Sequence, residues 1–549
     1  MTAVDRRIGI LFVAFIGLLG IALLRATELG TLKASSLKRA ARTQQLQTVT
    51  VPAPRGTITD RHGVELAISE SAADIVADPY LIKHPDTMAA QLAPLLSQPP
   101  ATVQAKLSKP HTGFVYLAHL LPGDRAQAIV KLKLEGISLI PEVKRVYPRG
   151  PVASQVLGQV NWAGQGASGI EYRYDAALHG TNGLRRIVSD AIGQPISIAD
   201  QRTTAPGESL KLTIDAALQD EVEQVLAGVA QTYQPEGATA VVMDPNTGEI
   251  LALANWATSH PADAASPFPL EDQAVGFNYE PGSTFKAITV AGALQDGLVT
   301  PSTMFDIPPV LQVFDRTIHD AEPHGFEQLS VANILKVSSN IGADEIGAKL
   351  GAQRFGYWVH RFGFGAPTGV DLPGEDRGIV LHSSQYSGTS MANLPFGQGE
   401  SVTPMQMMAA YAAIANGGIL RPPRIVEAVG GKPLPMPRGR RIISSAVSTE
   451  LRDMLRGVLA DGGTASGAAI PGYDLSGKTG TASIAQSGGY SNSEYIASFI
   501  GFVPASHPKL LVAVVVNQPH GSIFGGSVAA PAFQKIVGWA VPYLGIDPR

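Results

Sequence analysis

The hydrophobic pattern changes rhythm along this 549-residue chain, and each change marks a different kind of element. Residues 8–24 form an uncharged, mostly apolar run behind Arg6 and Arg7. At ~1.5 Å per residue the run spans roughly 26 Å, the short end of a transmembrane helix. From 26 to 47 the chain mixes Leu, Ala, Lys, Arg and Gln without a proline. That pattern predicts a helix continuing out of the bilayer, with Leu29, Leu32, Leu37 and Leu46 as a contact stripe or simply one face of an amphipathic stalk. Residues 52–205 lose this regularity, with short strand-like runs, proline breaks at Pro99-Pro100 and Pro148, and a helical stretch over 124–134. Arg202 to Glu208 reads as a linker. Beyond it, 215–230 is helical, and 238–243 and 249–254 flank Asp244-Pro245-Asn246-Thr247-Gly248 as a β-hairpin. Valine-rich strands recur at 496–503 and 510–517, with helical runs between. Strands at both ends of a segment and helices in the middle predict an antiparallel sheet packed by helices, an α+β domain.

Three short motifs in that segment carry candidate chemistry. Ser283-Thr284-Phe285-Lys286 comes first, then Ser338-Ser339-Asn340, then Lys478-Thr479-Gly480-Thr481 on an apparent strand. A serine hydroxyl needs a neighbouring base to act as a nucleophile. The apolar run 287–294 continues a helix started by the Pro281-Gly282 turn, which sets Lys286 on the same face as Ser283, one turn away. The start of a helix also offers unpaired N–H groups where an oxyanion would form. Lysine is a base only when neutral; burial and a second cation favour that state, and Lys478 is the candidate cation. Which of the two lysines is neutral stays open. Serine is also a favoured helix cap, and Ser35-Ser36-Leu37-Lys38 repeats the first pattern with no partner motifs behind it. The ordered set of three therefore carries the argument, and it resembles the motif set of penicillin-interacting enzymes.

Composition narrows the field further. A net charge of −4 and a pI near 6.3 leave no polycation, so nucleic acid is not an expected partner. The chain has no cysteine, which excludes disulfides, thiolate catalysis and cysteine-ligated zinc. No A-x-A site follows Leu24, and Arg25 comes next, so the apolar run reads as an uncleaved anchor. Arg6 and Arg7 favour a cytoplasmic N-terminus, whereas Arg25, Lys33, Lys38 and Arg39 on the far side weaken that bias.

Longer stretches extend the resemblance to the class B penicillin-binding proteins. Pro54-Arg55-Gly56-Thr57-Ile58-Thr59-Asp60-Arg61-His62-Gly63 resembles the family's first non-catalytic signature. Tyr147-Pro148, Gly158 and the run from Gly169-Ile170-Glu171 to His179-Gly180 resemble its second. In the catalytic part, Gly363-Phe364-Gly365, Thr368 to Glu375, Gly397-Gln398-Gly399 and Thr403-Pro404-Met405-Gln406 are similar to family landmarks. The resemblance implies a transpeptidase domain at 206–549 on a pedestal, or dimerisation, domain at 51–205. Ahead of these it implies a membrane-proximal helix at 25–50, the anchor at 8–24 and a cytoplasmic tail at 1–7. Arg55, Asp60, Arg61 and Glu171 would be ion pairs fixing the pedestal or solvated surface charges, with both readings open.

The same resemblance implies the chemistry. Ser283 would attack the carbonyl between two terminal D-alanines of a peptidoglycan stem peptide, and Lys286 would take its proton. Ser338 and Asn340 would relay the proton and hold the substrate amide. Lys478, with Thr479, Gly480 and Thr481, would bind the substrate carboxylate. The backbone N–H groups of Ser283 and Thr481 would form the oxyanion hole. No metal or other cofactor is required. β-Lactams would be inhibitors. Tyr495 to Ala505 and Gly525 to Phe533 look more like the division than the elongation enzymes. That implies a septal role beside a SEDS-family glycosyltransferase and other division membrane proteins, with the catalytic domain outside the cytoplasmic membrane.

Other readings have less behind them. A serine β-lactamase shares the motifs but needs a deacylation base that the sequence does not single out. A β-lactam sensor needs signalling machinery on the far side of the membrane, and a strict carboxypeptidase differs only in using water as acceptor. Gly164-Gln165-Gly166-Ala167-Ser168-Gly169, with Asp190 downstream, matches G-x-G-x-x-G but lacks the strand and helix of a dinucleotide site. His319 and His324 flanking Asp320 suggest a metal only superficially, and read as solvated loop residues.

Overall fold

The structure is a computed structural model that describes residues 3–32, 46–189, 195–257, 272–313, 316–387, 389–486 and 489–548. The chain divides into two compact units. One comprises Met1–Pro54, Glu70–Lys144 and Gly180–Gly207; the other comprises Arg55–Ser69, Arg145–His179 and Glu208–Arg549. Residues 51–205 thus contribute to both.

The larger unit is built on a five-stranded antiparallel sheet. Its spatial order is Ile250–Ala257, Gly237–Met243, Leu510–Asn517, Gly489–Val503, Ser476–Gln486. Both faces are covered, and the period-2 alternation of a strand sorts its side chains between two cores. Ala240, Val242, Val512, Val514 and Val516 share one core with Leu218, Val222 and Leu226 of helix Ala216–Tyr233 and with Phe533, Ile536 and Val537 of helix Gly525–Tyr543. Val241, Met243, Leu511, Ala513 and Val515 share the other with Ile288 and Ala291 of helix Lys286–Gln295 and Met408 and Ala412 of helix Pro404–Ala415. Helix Lys286–Gln295 is buried around its circumference from Lys286 to Leu294, as expected of a helix without a polar face. Asp215 caps helix Ala216–Tyr233 by accepting from Ala217 and Leu218 N–H at 3.1 and 3.2 Å. The expected α+β class, the hairpin and the two valine-rich strands are all present.

In the smaller unit, helices Pro85–Leu96 and Pro100–Leu107 and strand Val115–Pro122 share a core of Ile75, Leu92, Val103, Leu117 and Ile129. A separate three-stranded sheet joins Leu46–Val51, Gly183–Ser189 and Pro195–Arg202. Here the sequence reading needs correction. The membrane-proximal helix was expected to run to Gln47, yet Leu46–Val51 is a strand paired antiparallel with Gly183–Ser189, Leu46 opposite Val188. Its Thr-Val-Thr-Val run suits a pleated surface, and a partner strand far along the chain decides the matter. Leu37 of the proposed stripe and Ser35 to Lys38 lie outside the described residues. The N-terminal helix Ala3–Thr27 continues into a π-helical turn at Glu28–Leu32. Its span Arg6–Thr31 has mean hydropathy 2.5 and exposes its apolar side chains, and it is the one membrane-length apolar helix among the described residues.

The signature residues resolve into contacts within the larger unit. Fully buried Glu171 receives Arg55 Nε at 2.5 Å on one carboxylate oxygen and Arg145 Nε at 2.7 Å on the other. Arg55 also reaches Asp175 at 2.6 Å. Asp60 accepts from the backbone N–H groups of His62, Val64 and Ala216, and Arg61 lies 3.9 Å from Glu249. The G-x-G-x-x-G segment is a packing device: a Cβ on Gly166 would stand 1.9 Å from Glu171 O. Asp190 is outside the described residues.

Removing the shared anion leaves the buried Arg145 guanidinium without its ion-pair partner and Arg55 with Asp175 alone. Glu171→Ala is expected to lower unfolding free energy by about 3–5 kcal/mol in chemical denaturation, whereas truncating the partly exposed Arg61, 3.9 Å from Glu249, changes it by less than about 1 kcal/mol.

Candidate active site

Ser283 sits on a 3₁₀ turn, Gly282–Phe285, that runs directly into helix Lys286–Gln295. Its neighbours Gly282, Thr284 and Phe285 are buried, and Ser283 is partly open. Polar contacts pin the turn on several sides. Thr284 Oγ1 donates to Pro281 O at 2.7 Å, Tyr411 OH donates to Thr284 O at 2.7 Å, and Gly282 N–H donates to Gly397 O at 3.0 Å. The turn lies against the strand Ser476–Gln486. A Cβ on Gly480 would stand 2.2 Å from Ser498 Oγ and 3.0 Å from Pro281 O, so only glycine permits this approach. The glycine of Lys478-Thr479-Gly480 therefore has a steric reason.

The structure brings Lys286, Ser338, Asn340 and Lys478 into direct contact. Lys286 Nζ donates to Ser338 O at 2.5 Å, to Asn340 Oδ1 at 2.7 Å and to Ser338 Oγ at 3.3 Å. Lys478 Nζ donates to the same Ser338 Oγ at 2.8 Å and to Thr479 O at 3.2 Å. Both lysines are fully buried. Burial pulls the Lys286 amine down to about 7, against the carboxylate of Asp320, which pulls it back up. The Lys478 amine is held well below its ordinary value, chiefly by burial and then by repulsion from Lys286. Among the described residues no hydrogen bond joins Lys286 Nζ to Ser283 Oγ. The expected link is replaced by the contacts to Ser338 and Asn340, and such bonds often tighten only with substrate in place.

Ser338 is held in a costly conformation. It ends helix Val331–Val337 with φ 64° and ψ 38°, the left-handed region, which costs about 1–3 kcal/mol for a residue other than glycine. This geometry turns its carbonyl and hydroxyl together towards the lysines. Ser339 then caps the next helix, Asn340–Leu350, by accepting from Gly342 N–H at 2.9 Å.

The candidate substrate residues lie on the edge strand Ser476–Gln486. The buried hydroxyl of Thr479 pairs with Thr464 Oγ1 at 2.7 Å. Thr481 Oγ1 accepts from Gly525 N–H at 3.1 Å, which leaves its own hydrogen free to donate. Ser283 and Thr481, the candidate oxyanion donors, are on the turn and strand that pack together at Gly480 and Gly282.

Sequence reasoning missed a second layer behind these groups. Asp320 Oδ1 accepts from the backbone N–H groups of Asn340 and Ile341, at 2.5 and 3.1 Å. His324 Nε2 lies 3.2 Å from Asp320 Oδ2. His324 is therefore not a solvated loop residue, although His319 is exposed. The spacing of the histidines around Asp320 was the visible signal; the contact with a helix twenty residues on was not.

The sequence matches the penicillin binding protein transpeptidase domain over residues 238–538 and the penicillin-binding protein dimerisation domain over 50–212. The chain belongs to the class B penicillin-binding proteins. It is 33% identical over 520 residues to the peptidoglycan D,D-transpeptidase FtsI of Escherichia coli, covering 93% of this chain and 86% of the relative. It is 35% identical over 512 residues to the stage V sporulation protein D of Bacillus subtilis, covering 90% and 79%. The crystal structure of penicillin binding protein 3 from Mycobacterium tuberculosis complexed with aztreonam aligns with TM-score 0.71 and 29% identity, over 91% of this chain and 98% of that one. As a class B penicillin-binding protein, the chain is a serine-type D,D-transpeptidase, and its apolar N-terminal helix fits a single-pass membrane protein.

If neutral Lys286 is the base, acylation by a β-lactam follows its deprotonation. Protonated Lys286 cannot accept from Ser283, so the second-order acylation rate is expected to fall about tenfold per pH unit below a midpoint near 7. Stopped-flow acylation between pH 5 and 9 measures that limb.

Proposed function

We propose that this transpeptidase cross-links stem peptides during septal wall synthesis, using Ser283 as nucleophile and Lys286 as base. The observation that carries the site assignment is the meeting of all three motifs at Ser338, whose hydroxyl lies 2.8 Å from Lys478 Nζ and 3.3 Å from Lys286 Nζ. Ser283 Oγ attacks the penultimate D-alanine carbonyl as its proton passes to neutral Lys286. The backbone N–H groups of Ser283 and Thr481 stabilise the oxyanion. The C–N bond then breaks, and the leaving D-alanine amine takes a proton through Ser338 Oγ. Asn340 holds the substrate amide, and Lys478 and Thr481, with Thr479 and Gly480 on the same strand, hold its terminal carboxylate. Lys286, neutral again once its proton has passed through Ser338 to the leaving amine, takes a proton from the acceptor amine of a neighbouring strand as that amine attacks the acyl carbon; the ester C–O bond breaks and the proton returns to Ser283 Oγ. β-Lactams enter the same path and stop at the acyl-enzyme.

The septal assignment rests on the likeness of Tyr495 to Ala505 and Gly525 to Phe533 to division enzymes. In this reading the catalytic domain lies outside the cytoplasmic membrane and works beside a SEDS-family glycosyltransferase, which polymerises the glycan. The main competing role is elongation.

Labelled penicillin followed by mass spectrometry tests the site. A stable adduct on Ser283, absent from Ser283→Ala, is expected; no adduct sinks the assignment, and rapid loss of label would indicate a β-lactamase. Depleting the protein in its host tests the role. Filaments with the protein at midcell are expected, whereas rounded cells would point to elongation.

A further inference from the structure

The loop between strands Arg316–Ile318 and Glu327–Ser330 carries His319, Asp320 and His324, none of which has a part in the reaction as described. All three meet Asn340 or its supports. The first N–H groups of a helix lack partners inside it. For helix Asn340–Leu350, the N-cap Ser339 takes Gly342 N–H, and Asp320 Oδ1 takes those of Asn340 and Ile341. The Asn340 side chain is held as well. Its Nδ2 donates to His319 O at 3.0 Å, which turns Oδ1 towards Lys286 Nζ at 2.7 Å. An amide flipped the other way would set a donor against the lysine's own donors. The loop therefore fixes both where Asn340 sits and which way its amide points.

Asp320 is held in turn. Its second oxygen faces His324 Nε2 at 3.2 Å, and the other ring nitrogen of His324 faces Gly325 O at 2.6 Å and Glu327 Oε1 at 3.5 Å. The side chains of Asp320 and His324 are only 11% and 18% exposed, so the pair is screened from bulk water. We propose that Asp320, oriented by His324, is a positioning residue of the acyl-transfer site, fixing Asn340 on Lys286 and placing a negative charge behind the base. The order base, orienting side chain, buried carboxylate follows the general logic of an activated nucleophile. Among the described residues, the charged groups facing Lys286 are Lys478 from the edge strand and Asp320 from this loop. Those facing Asp320 are His324 and, beyond it, Glu327. The carboxylate favours the protonated amine, in opposition to burial.

This inference rests on Lys286 being the base, and the test separates the two. Acylation of the full-length protein in detergent by a labelled penicillin is measured from pH 5 to 9 for wild type, Asp320→Asn, Asp320→Glu and His324→Gln. Asp320→Asn is expected to lower the rate on the alkaline plateau by up to about a hundredfold, as a small misplacement of reacting groups does. It is also expected to move the acid limb to lower pH, because Lys286 loses a charge that stabilised its proton. Asp320→Glu should restore the limb's position, and His324→Gln should lower the plateau severalfold. A purely structural role for Asp320 would leave the limb in place. Wild-type rate and limb in Asp320→Asn would overturn the proposal while leaving the Ser283 site intact. If Asp320→Asn does not fold, an unchanged plateau in His324→Gln overturns it. No adduct on wild-type Ser283, or an acid limb absent from wild type, overturns the base assignment and this proposal with it.

Discussion

Lys286 and Lys478 are both fully buried, and both direct Nζ at the hydroxyl of Ser338. Burying an amine without a paired anion disfavours its charged form, and a second amine on the same hydroxyl disfavours it further. The rest of the site answers that constraint. Ser338 adopts a left-handed backbone conformation to present two oxygens. Asn340 contributes a third acceptor, and among the described residues Asp320 supplies the negative charge that acts on Lys286. A pocket with full ion pairing would hold Lys286 protonated and unable to accept a proton; one with no anion would leave the lysines little reason to stay inside.

The scaffold meets the same demand by close backbone packing. Gly480 and Gly282 let the turn that carries Ser283 lie against the strand that carries Lys478, and Tyr411 and Thr284 fix the turn with internal hydrogen bonds. Helix Lys286–Gln295 then carries Lys286 into the buried interior. The cost of burying the lysine is met by the same packing that makes the domain stable.

Much of this was legible before any coordinate. Gly237–Met243 declares itself through the turn Asp244 to Gly248 that follows it and Leu510–Asn517 through its valine-rich run, and the three motifs name Ser283, Lys286, Ser338, Asn340 and Lys478 in order. What the sequence hid were contacts between segments with no shared periodicity. Asp320 meets a helix N-terminus twenty residues away, and Thr464 meets Thr479 across a loop. Leu46–Val51 misled for a related reason. It ends a stretch of helix-forming residues, and only its pairing with Gly183–Ser189 makes it a strand.

The place of Ser476–Gln486 at the margin of its sheet has one more consequence. A free margin exposes unpaired N–H and C=O groups and invites any extended chain to dock, which makes it a hazard as well as an opportunity. Here the Gly282–Phe285 turn packs on the face of that strand around Gly480 and Ala482 rather than along its margin. Among the described residues no other strand and no backbone hydrogen bond from the turn takes up the outer N–H and C=O groups of Ser476–Gln486. A margin left this way is open to any extended chain, wanted or unwanted, next to Ser283.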